Sequence, residues 1–422
     1  MIRAIKNFFV QLPNQPQPAR RVYLFVLILL IGFLGTLLLS AYHLLHASPY
    51  YPYVWFLYDP IFLHFDFMEI YEVFANGLHD VYKLDGGKNY LPIGFLLSYP
   101  FSFLPQKLAL YTLETIFTGG LLFLVYKWLP SIKYRRFFTL LFVFLSFPVL
   151  FVLNRGNVEM ILFLLMALFV VCYKKEKFYW AGFFLACAID FKIYPAVFLL
   201  LFVSDRRFKE LFATLVFTVA LLIGGFYLTG GDISSLLVGF QTYSDSQFTA
   251  HTLEFSHSLF NLIRIPVFFL LPHSAQDDWG IFIDFGSSVS HYYLALMFFL
   301  FAVICVRIIF FNKIPLWQRV FLLSLAQVSF PFVSSNYTLL LLILPLLLFF
   351  QEEKPIKNST LITCLSALLF VPMNIILLHQ NLPFHGNFVA NIGTIIRPLL
   401  LLYLLAVIFF LPTPKDLPYT HK

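Results

Sequence analysis

The residues of this chain whose types and spacing could do chemistry begin at Asp66. Phe67, Ile70, Tyr71, Phe74 and Leu78 follow it at helical spacing, with Glu69, Glu72 and Asn76 on the other side. That pattern predicts an amphipathic helix lying along a membrane surface and opening at Asp66. An aspartate there, three residues before Glu69, is either the N-cap of a capping-box-like start or a general base at the membrane surface. One carboxylate can serve both roles. Asp59, just upstream, is the fallback base, while Glu69, Glu72, Asp80 and Asp85 read as a solvated face.

Three cations stand where an anion could meet them. Lys192 lies in Asp190-Phe191-Lys192-Ile193-Tyr194-Pro195, a helix break beside an apolar groove. It is either paired with Asp190, snorkelling to the membrane face, or holding an anionic group. Arg155, in Asn154-Arg155-Gly156-Asn157, either orders a tight turn or does the same work. Arg264 sits in the short apolar run 258–271 and either binds a ligand or reaches lipid headgroups. His257 titrates near neutral pH, but its local sequence shows no partner. Asp277-Asp278, with no D-x-D spacing and no nearby histidine, reads as a solvated loop rather than a metal site, and no metal is expected.

The elements that must position these groups are membrane helices. The 422 residues are 60% hydrophobic and 12% charged, with 55 Phe, and carry apolar runs of bilayer-spanning length. In such a chain a carboxylate is costly unless solvated, paired or used. No polar segment leaves room for a separate soluble domain, so residues 1–422 read as one membrane domain. The basic N-terminus runs into an apolar stretch without a cleavage pattern, which predicts an uncleaved first span. Cys172, Cys187, Cys305 and Cys364 lie far apart in apolar runs and read as core filler. The net charge of +7 comes from clusters at the ends of apolar runs, which is a topology signal rather than a nucleic-acid footprint.

With the N-terminus inside, these clusters predict twelve spans near 22–44, 107–129, 137–153, 157–173, 178–191, 192–203, 209–228, 290–311, 319–333, 338–350, 359–379 and 392–411. Twenty-one of the 28 Lys and Arg then fall inside. Residues 178–203 are read as a hairpin of two short helices, because proline disfavours continuation and the Asp190/Lys192 charges are cheapest near a membrane face. The segment 90–105 is read as an interfacial or re-entrant helix. Two long loops, 47–106 and 229–289, meet the turns at 154–157, 190–192 and 334–337 and the loop 380–391 on one outer face.

Asp66-Phe67, Tyr71, Ala75, Gly77 and Tyr82, then Tyr90-Leu91-Pro92 and an apolar run ending at Leu104-Pro105, resemble the first outer loop of glycosyltransferase family 87. That group is GT-C-type, depends on polyprenyl-phosphate sugars and includes bacterial mannosyltransferases. The resemblance continues through Gly156-Asn157-Val158-Glu159, Ala181-Gly182 to Lys192-Ile193-Tyr194-Pro195, His257-Ser258-Leu259 and Ser335-Asn336-Tyr337. Where the family usually has Tyr-Pro-Pro, Gln-x-Asn and a late His, this chain has Leu91, Asn157 with Glu159, and Asn336.

The resemblance implies a GT-C-like, all-α integral membrane fold with interfacial helices in the outer loops. It implies transfer of a hexose, mannose above all, from a polyprenyl-phosphate donor to a glycolipid or glycan acceptor, outside the plasma membrane of a bacterium. The reaction is expected to be a single inverting displacement with Asp66 as base and no cofactor. Lys192, Arg155 and Arg264 are expected at the donor phosphate, and Tyr71, Tyr90, Asn157, His257 and Asn336 at the substrates. Tyr50, Tyr51, Tyr53 and Trp55 could stack on sugar rings. The partners are thus donor, acceptor and bilayer, with no nucleic acid. A lipid-linked oligosaccharide flippase would be expected to show repeats and mid-bilayer charge. A glycan polymerase or ligase would be expected to carry basic outer loops, whereas these are acidic.

Overall fold

The computed structural model describes residues 15–46, 63–74, 77–82, 90–239, 256–270, 279–311, 314–332, 334–373, 376–382 and 386–412. Its long apolar helices are α1 (Gln17–His46), α4 (Gln106–Trp128), α10 (Phe208–Thr229), α12 (Trp279–Phe310) and α16 (Ile392–Phe409). All five contain a stretch long and apolar enough to cross a bilayer. The bent pair α5 (Arg135–Phe144) and α6 (Phe147–Arg155), which turn through 55° at their junction, is together long and apolar enough to count as a sixth if taken as one span. Pro148, in the first turn of α6, has no N–H to continue the α5 ladder, while Phe147 N–H bonds across to the Phe370 carbonyl at 2.9 Å. Only 11% of the most apolar stretch of α10 and 22% of that of α12 is buried by the protein. Leu215, Val219, Ile223, Phe298 and Phe299 face outward, which suits lipid and not water. The chain is an integral membrane protein.

The remaining spans expected from sequence are shorter helices. They are α7 (Glu159–Lys174), α8 (Phe178–Ile189), α9 (Tyr194–Ser204), α13 (Leu316–Ser329), α14 (Asn336–Gln351) and α15 (Ser359–Leu369). The break expected at 190–195 is present: α8 ends at Ile189 and Pro195 opens the 3-10 turn of α9. α14 is the most enclosed element, with Leu339 to Phe350 all buried. α13 and the Phe25 and Phe142 rings pack around it.

Two expected loops differ from expectation. β1 (Ile376–Leu382) and β2 (Gly386–Asn391) pair as an antiparallel ladder, so among the described residues the fold is helical apart from these two strands. The 359–379 span accordingly stops at Leu369. The 229–289 loop is shorter than expected, because α11 (Asn261–Leu270) lies within it and α12 already starts at Trp279.

Two short helices cover the end of the bundle where Arg155 and Lys192 emerge. α2 (Phe65–Val73) buries Phe67, Ile70 and Val73 and exposes Glu69 and Glu72, as its apolar stripe requires. α3 (Pro92–Ser98) buries Ile93 and Phe95 and leads into a 3-10 turn over Tyr99–Phe103. At the opposite end Gln351 donates to the Trp128 carbonyl, Arg319 pairs with Asp205, and Arg307 donates to the Leu411 carbonyl.

Candidate functional site

The site grows from the joint between α6 and α7. α6 ends in a Schellman motif: Asn157 N–H bonds to the Val152 carbonyl at 3.1 Å and Gly156 N–H to Leu153 at 3.0 Å. Gly156 takes φ +61°, and a Cβ there would lie 2.9 Å from Phe67 Cβ and 3.1 Å from Leu110 Cδ1. Only glycine fits both the dihedral and the approach of α2. Beside it, His64 N–H donates to the Asn154 carbonyl at 2.7 Å, and His64 itself is left-handed at φ 58°. The joint and the start of α2 are therefore tied by backbone.

That tie delivers Asp66 to Arg155. The guanidinium donates through Nη2 to Oδ1 at 2.5 Å and through Nε to Oδ2 at 3.3 Å, a bidentate grip. Asn157 Nδ2 donates to Asp66 Oδ2 at 2.7 Å, and Asn157 Oδ1 accepts from Glu159 N–H at 2.8 Å. The amide orientation follows from its partners, because a carboxylate only accepts and a backbone N–H only donates. The N-cap expectation for Asp66 is thereby corrected. His64 occupies the cap position without a side-chain bond, and Asp66 lies one residue inside the helix with its carboxylate turned to the joint.

Glu159, wholly buried at the start of α7, begins a second pair. Lys192 Nζ lies 2.7 Å from Glu159 Oε2, and the Tyr194 hydroxyl donates to Oε1. The ammonium also lies 4.9, 5.7 and 5.9 Å from the ring centres of Tyr90, Tyr337 and Tyr194. Lys192 is thus not paired with Asp190, the partner suggested by its local sequence. Asp190 follows the end of α8 and is 1% exposed, with the Ile93 backbone N–H near its carboxylate. Burial pushes its pKa up to about 7.

A third cluster lies one residue from Tyr337. Ser256 bridges to Ser335, and His257 N–H donates to the Ser334 carbonyl at 2.9 Å, which places the His257 ring in a polar pocket. Nδ1 is 3.4 Å from Asn336 Oδ1, while Nε2 is 3.1 Å from Ser334 Oγ and 3.3 Å from Thr338 Oγ1. An acceptor on one side and hydroxyls on the other fit a neutral ring donating through Nδ1. Burial, reinforced by Arg397, pushes the His257 pKa down to about 3. Arg397, fully buried in α16, donates to Asn336 Oδ1 at 3.1 Å and stacks 4.3 Å above Phe147. Among the described residues it makes no ion pair.

Of the residues singled out from sequence, Asp66, Arg155, Asn157, Lys192 and Tyr90 therefore share one connected site, with His257 and Asn336 adjoining it. Tyr71 does not join them. Its hydroxyl donates to the Leu104 carbonyl at 2.8 Å, and its ring packs under α3 with Phe74 and Phe101. Arg264 is buried on α11 beside the Phe260 ring and pairs with neither Asp66 nor Glu159. Asp59, Asp85, Asp277, Asp278, Tyr50, Tyr51, Tyr53 and Trp55 lie outside the described residues, as does the side chain of Asp80. Glu159 as the partner of Lys192, Tyr194, Tyr337 and Arg397 were not foreseen. For Glu159 and Arg397 the signal was present: each is a lone charge in an apolar run, which marks a functional position by default.

Chemically, the arrangement offers a carboxylate near the rim, a second one deeper, and a guanidinium and an ammonium next to them. That set suits proton removal from a hydroxyl beside a group whose negative charge must be neutralised. Glycosyltransferase family 87 matches residues 89–311, just over half of the chain. The matched stretch includes Tyr90, Arg155, Asn157, Glu159, Lys192, His257 and Arg264. Asp66 precedes it, and Asn336 and Arg397 follow it. No curated protein matches the chain.

Proposed function

The chain belongs to glycosyltransferase family 87 and is a membrane glycosyltransferase, and from that premise we propose the reaction its site performs. It transfers a hexose, mannose in the first place, from a polyprenyl-phosphate carrier to a glycolipid or glycan hydroxyl. The observation that carries this reading is the bidentate Asp66–Arg155 pair, joined through Asn157 to the Glu159–Lys192 pair. A base and two cations, brought from three separate elements, meet around one short joint.

In the proposed step the acceptor oxygen attacks the anomeric carbon as the bond from that carbon to the phosphate oxygen breaks, with inversion. The hydroxyl proton passes to Asp66, and the electron pair of the broken bond leaves with the polyprenyl phosphate. Arg155 and Lys192 neutralise the charge that grows on that phosphate. The bidentate grip takes one lone pair on each Asp66 oxygen and Asn157 takes one more, so a competing anion that draws Arg155 away frees the carboxylate for the acceptor proton. The donor phosphate is that anion, which makes activation of the base depend on the donor being bound. Asn157 then keeps the carboxylate aimed. His257, Asn336 and Arg397 form the wall behind Tyr337, and Arg264 stands further along it.

We read the shorter helices as completing twelve crossings, with α2 and α3 interfacial. The clusters at 127–136, 174–177 and 206–209 fall at the end of the bundle opposite Asp66, and positive residues face the cytoplasm. Asp66 then opens outside the inner membrane of a bacterium. Two measurements test this. Membranes holding the full-length protein should move label from polyprenyl-phosphate mannose to lipid or glycan, and transfer from nucleotide sugars alone would overturn the donor class. A cysteine placed near Tyr82, at exposed His79, should react with an impermeant thiol reagent added outside, and protection there would overturn the sidedness.

A further inference from the structure

The end of the bundle opposite Asp66 holds a cleft of about 1500 Å³ between the start of α1, the end of α4 and the start of α5. Tyr23, Lys127, Ser131, Lys133, Arg135 and Phe138 line it. Its three cations rest on aromatic rings: Lys127 is 5.7 Å from Phe123, Lys133 is 5.0 Å from Tyr134 and Arg135 is 4.8 Å from Tyr126. None of the three has a carboxylate within ion-pair distance among the described residues, although Glu353 also stands on the cleft wall.

Three helix ends, each at the edge of a stretch apolar enough for lipid, set the depth of this cleft at the headgroup level. Phe123 and Phe137, next to it, are 64% and 57% exposed. A cationic recess with an apolar flank has two halves, and a ligand that satisfies both has a phosphate and acyl chains. Orientation in the membrane requires only charge in the loop, not a recess of this size. Basic pockets between membrane helices hold anionic headgroups by this chemistry.

We propose that this cleft is a binding site for an anionic phospholipid, independent of the catalytic site. Lys127, Lys133 and Arg135 hold its phosphate, and Phe123 and Phe137 lie along its acyl chains. Inorganic phosphate offers the same anionic group without the chains, so the two sources are separable.

The test is native mass spectrometry of the full-length protein released from mild detergent, with phosphatidylglycerol and phosphatidylcholine of identical chains. The protein should retain phosphatidylglycerol preferentially, and each cation replaced by Gln should weaken retention about five-fold, taking roughly 1 kcal/mol per cation near an anionic surface. Lys127→Arg with Lys133→Arg should keep the preference. So should Lys175→Gln with Lys177→Gln, which removes charge at the same end but outside the cleft. Equal retention of the two lipids, or an unchanged preference in Lys127→Gln/Lys133→Gln/Arg135→Gln, overturns the site. Displacement of the lipid by millimolar inorganic phosphate overturns the lipid as its ligand. Should the triple variant fail to fold, a photoreactive residue at Phe137 decides instead: it should crosslink phosphatidylglycerol over phosphatidylcholine, and indifference overturns the proposal.

Discussion

Asp66→Asn separates the two jobs of the Asp66 carboxylate. In the wild type it accepts two hydrogen bonds from Arg155 and one from Asn157, and the paired side chains are 14% and 15% exposed. Asparagine has the same shape but turns an NH₂ toward groups that can only donate, and it leaves the guanidinium without its counter-charge. Breaking a buried pair costs about 3–5 kcal/mol, and an exposed one about 0–1 kcal/mol. At this intermediate exposure about 2 kcal/mol is expected, a fall of a few degrees in Tm. The chemical loss is larger. Removing a general base costs roughly 10²–10⁴ in rate, or about 3–5 kcal/mol of barrier. The assay is thermal unfolding of the purified full-length variant together with kcat and donor KM for sugar transfer. The expected result is a hundred-fold or greater drop in kcat per folded molecule, with donor KM within a few-fold of wild type. Arg155→Gln should invert the pattern, raising donor KM more than it lowers kcat. A folded Asp66→Asn protein whose kcat stays within ten-fold of wild type would refute Asp66 as the base.

Three further outcomes follow from the geometry. Gly156→Ala should lower both Tm and kcat, because a Cβ 2.9 Å from Phe67 Cβ at φ +61° must displace α2 and Asp66 with it; unchanged kinetics would show that the joint does not position the base. Lys192→Gln leaves Glu159 buried without its cation and should cost about 3–5 kcal/mol, whereas Lys192→Gln with Glu159→Gln should recover much of that in a double-mutant cycle. Asp190, raised to about 7 by burial, is neutral in the folded chain at low pH and costs stability as pH climbs from about 4 to 7. Its shift is worth up to about 4 kcal/mol, so Asp190→Asn should raise Tm at pH 8 and leave it unchanged near pH 4, read by thermal unfolding at both.

The local features of this chain were largely readable and the non-local ones were not. The helix break at Asp190 to Pro195, the stripe of α2 and the bounds of α4 and α10 all follow from proline, periodicity and run length, which act over a few residues. The partners of the charges depend on separations of 89 and 33 residues, for Asp66 with Arg155 and Lys192 with Glu159. Local sequence offered Asp190, two residues away, as one partner for Lys192 beside the snorkelling and anion-binding readings. The ammonium pairs with Glu159 instead, 33 residues away, a partner that proximity in sequence does not reveal. The cap reading of Asp66 failed for the same reason, since a guanidinium from another helix outcompetes the backbone N–H groups of its own. Arg397 carried a local signal, one cation in a long apolar run, but its partner, the Asn336 side-chain carbonyl, lies 61 residues away in sequence.

The three tyrosine rings around Lys192 have a consequence for reactivity. An amine must present a lone pair to be acylated, and one that is 6% exposed, bound to Glu159 and walled by aromatic rings offers neither lone pair nor approach. Exposed Lys175 and Lys177, in an open turn, and Lys209, in the first turn of α10, will consume an acylating reagent first. Modification at position 192 then reports the moment the cage opens, a clock for the site that needs no sugar at all.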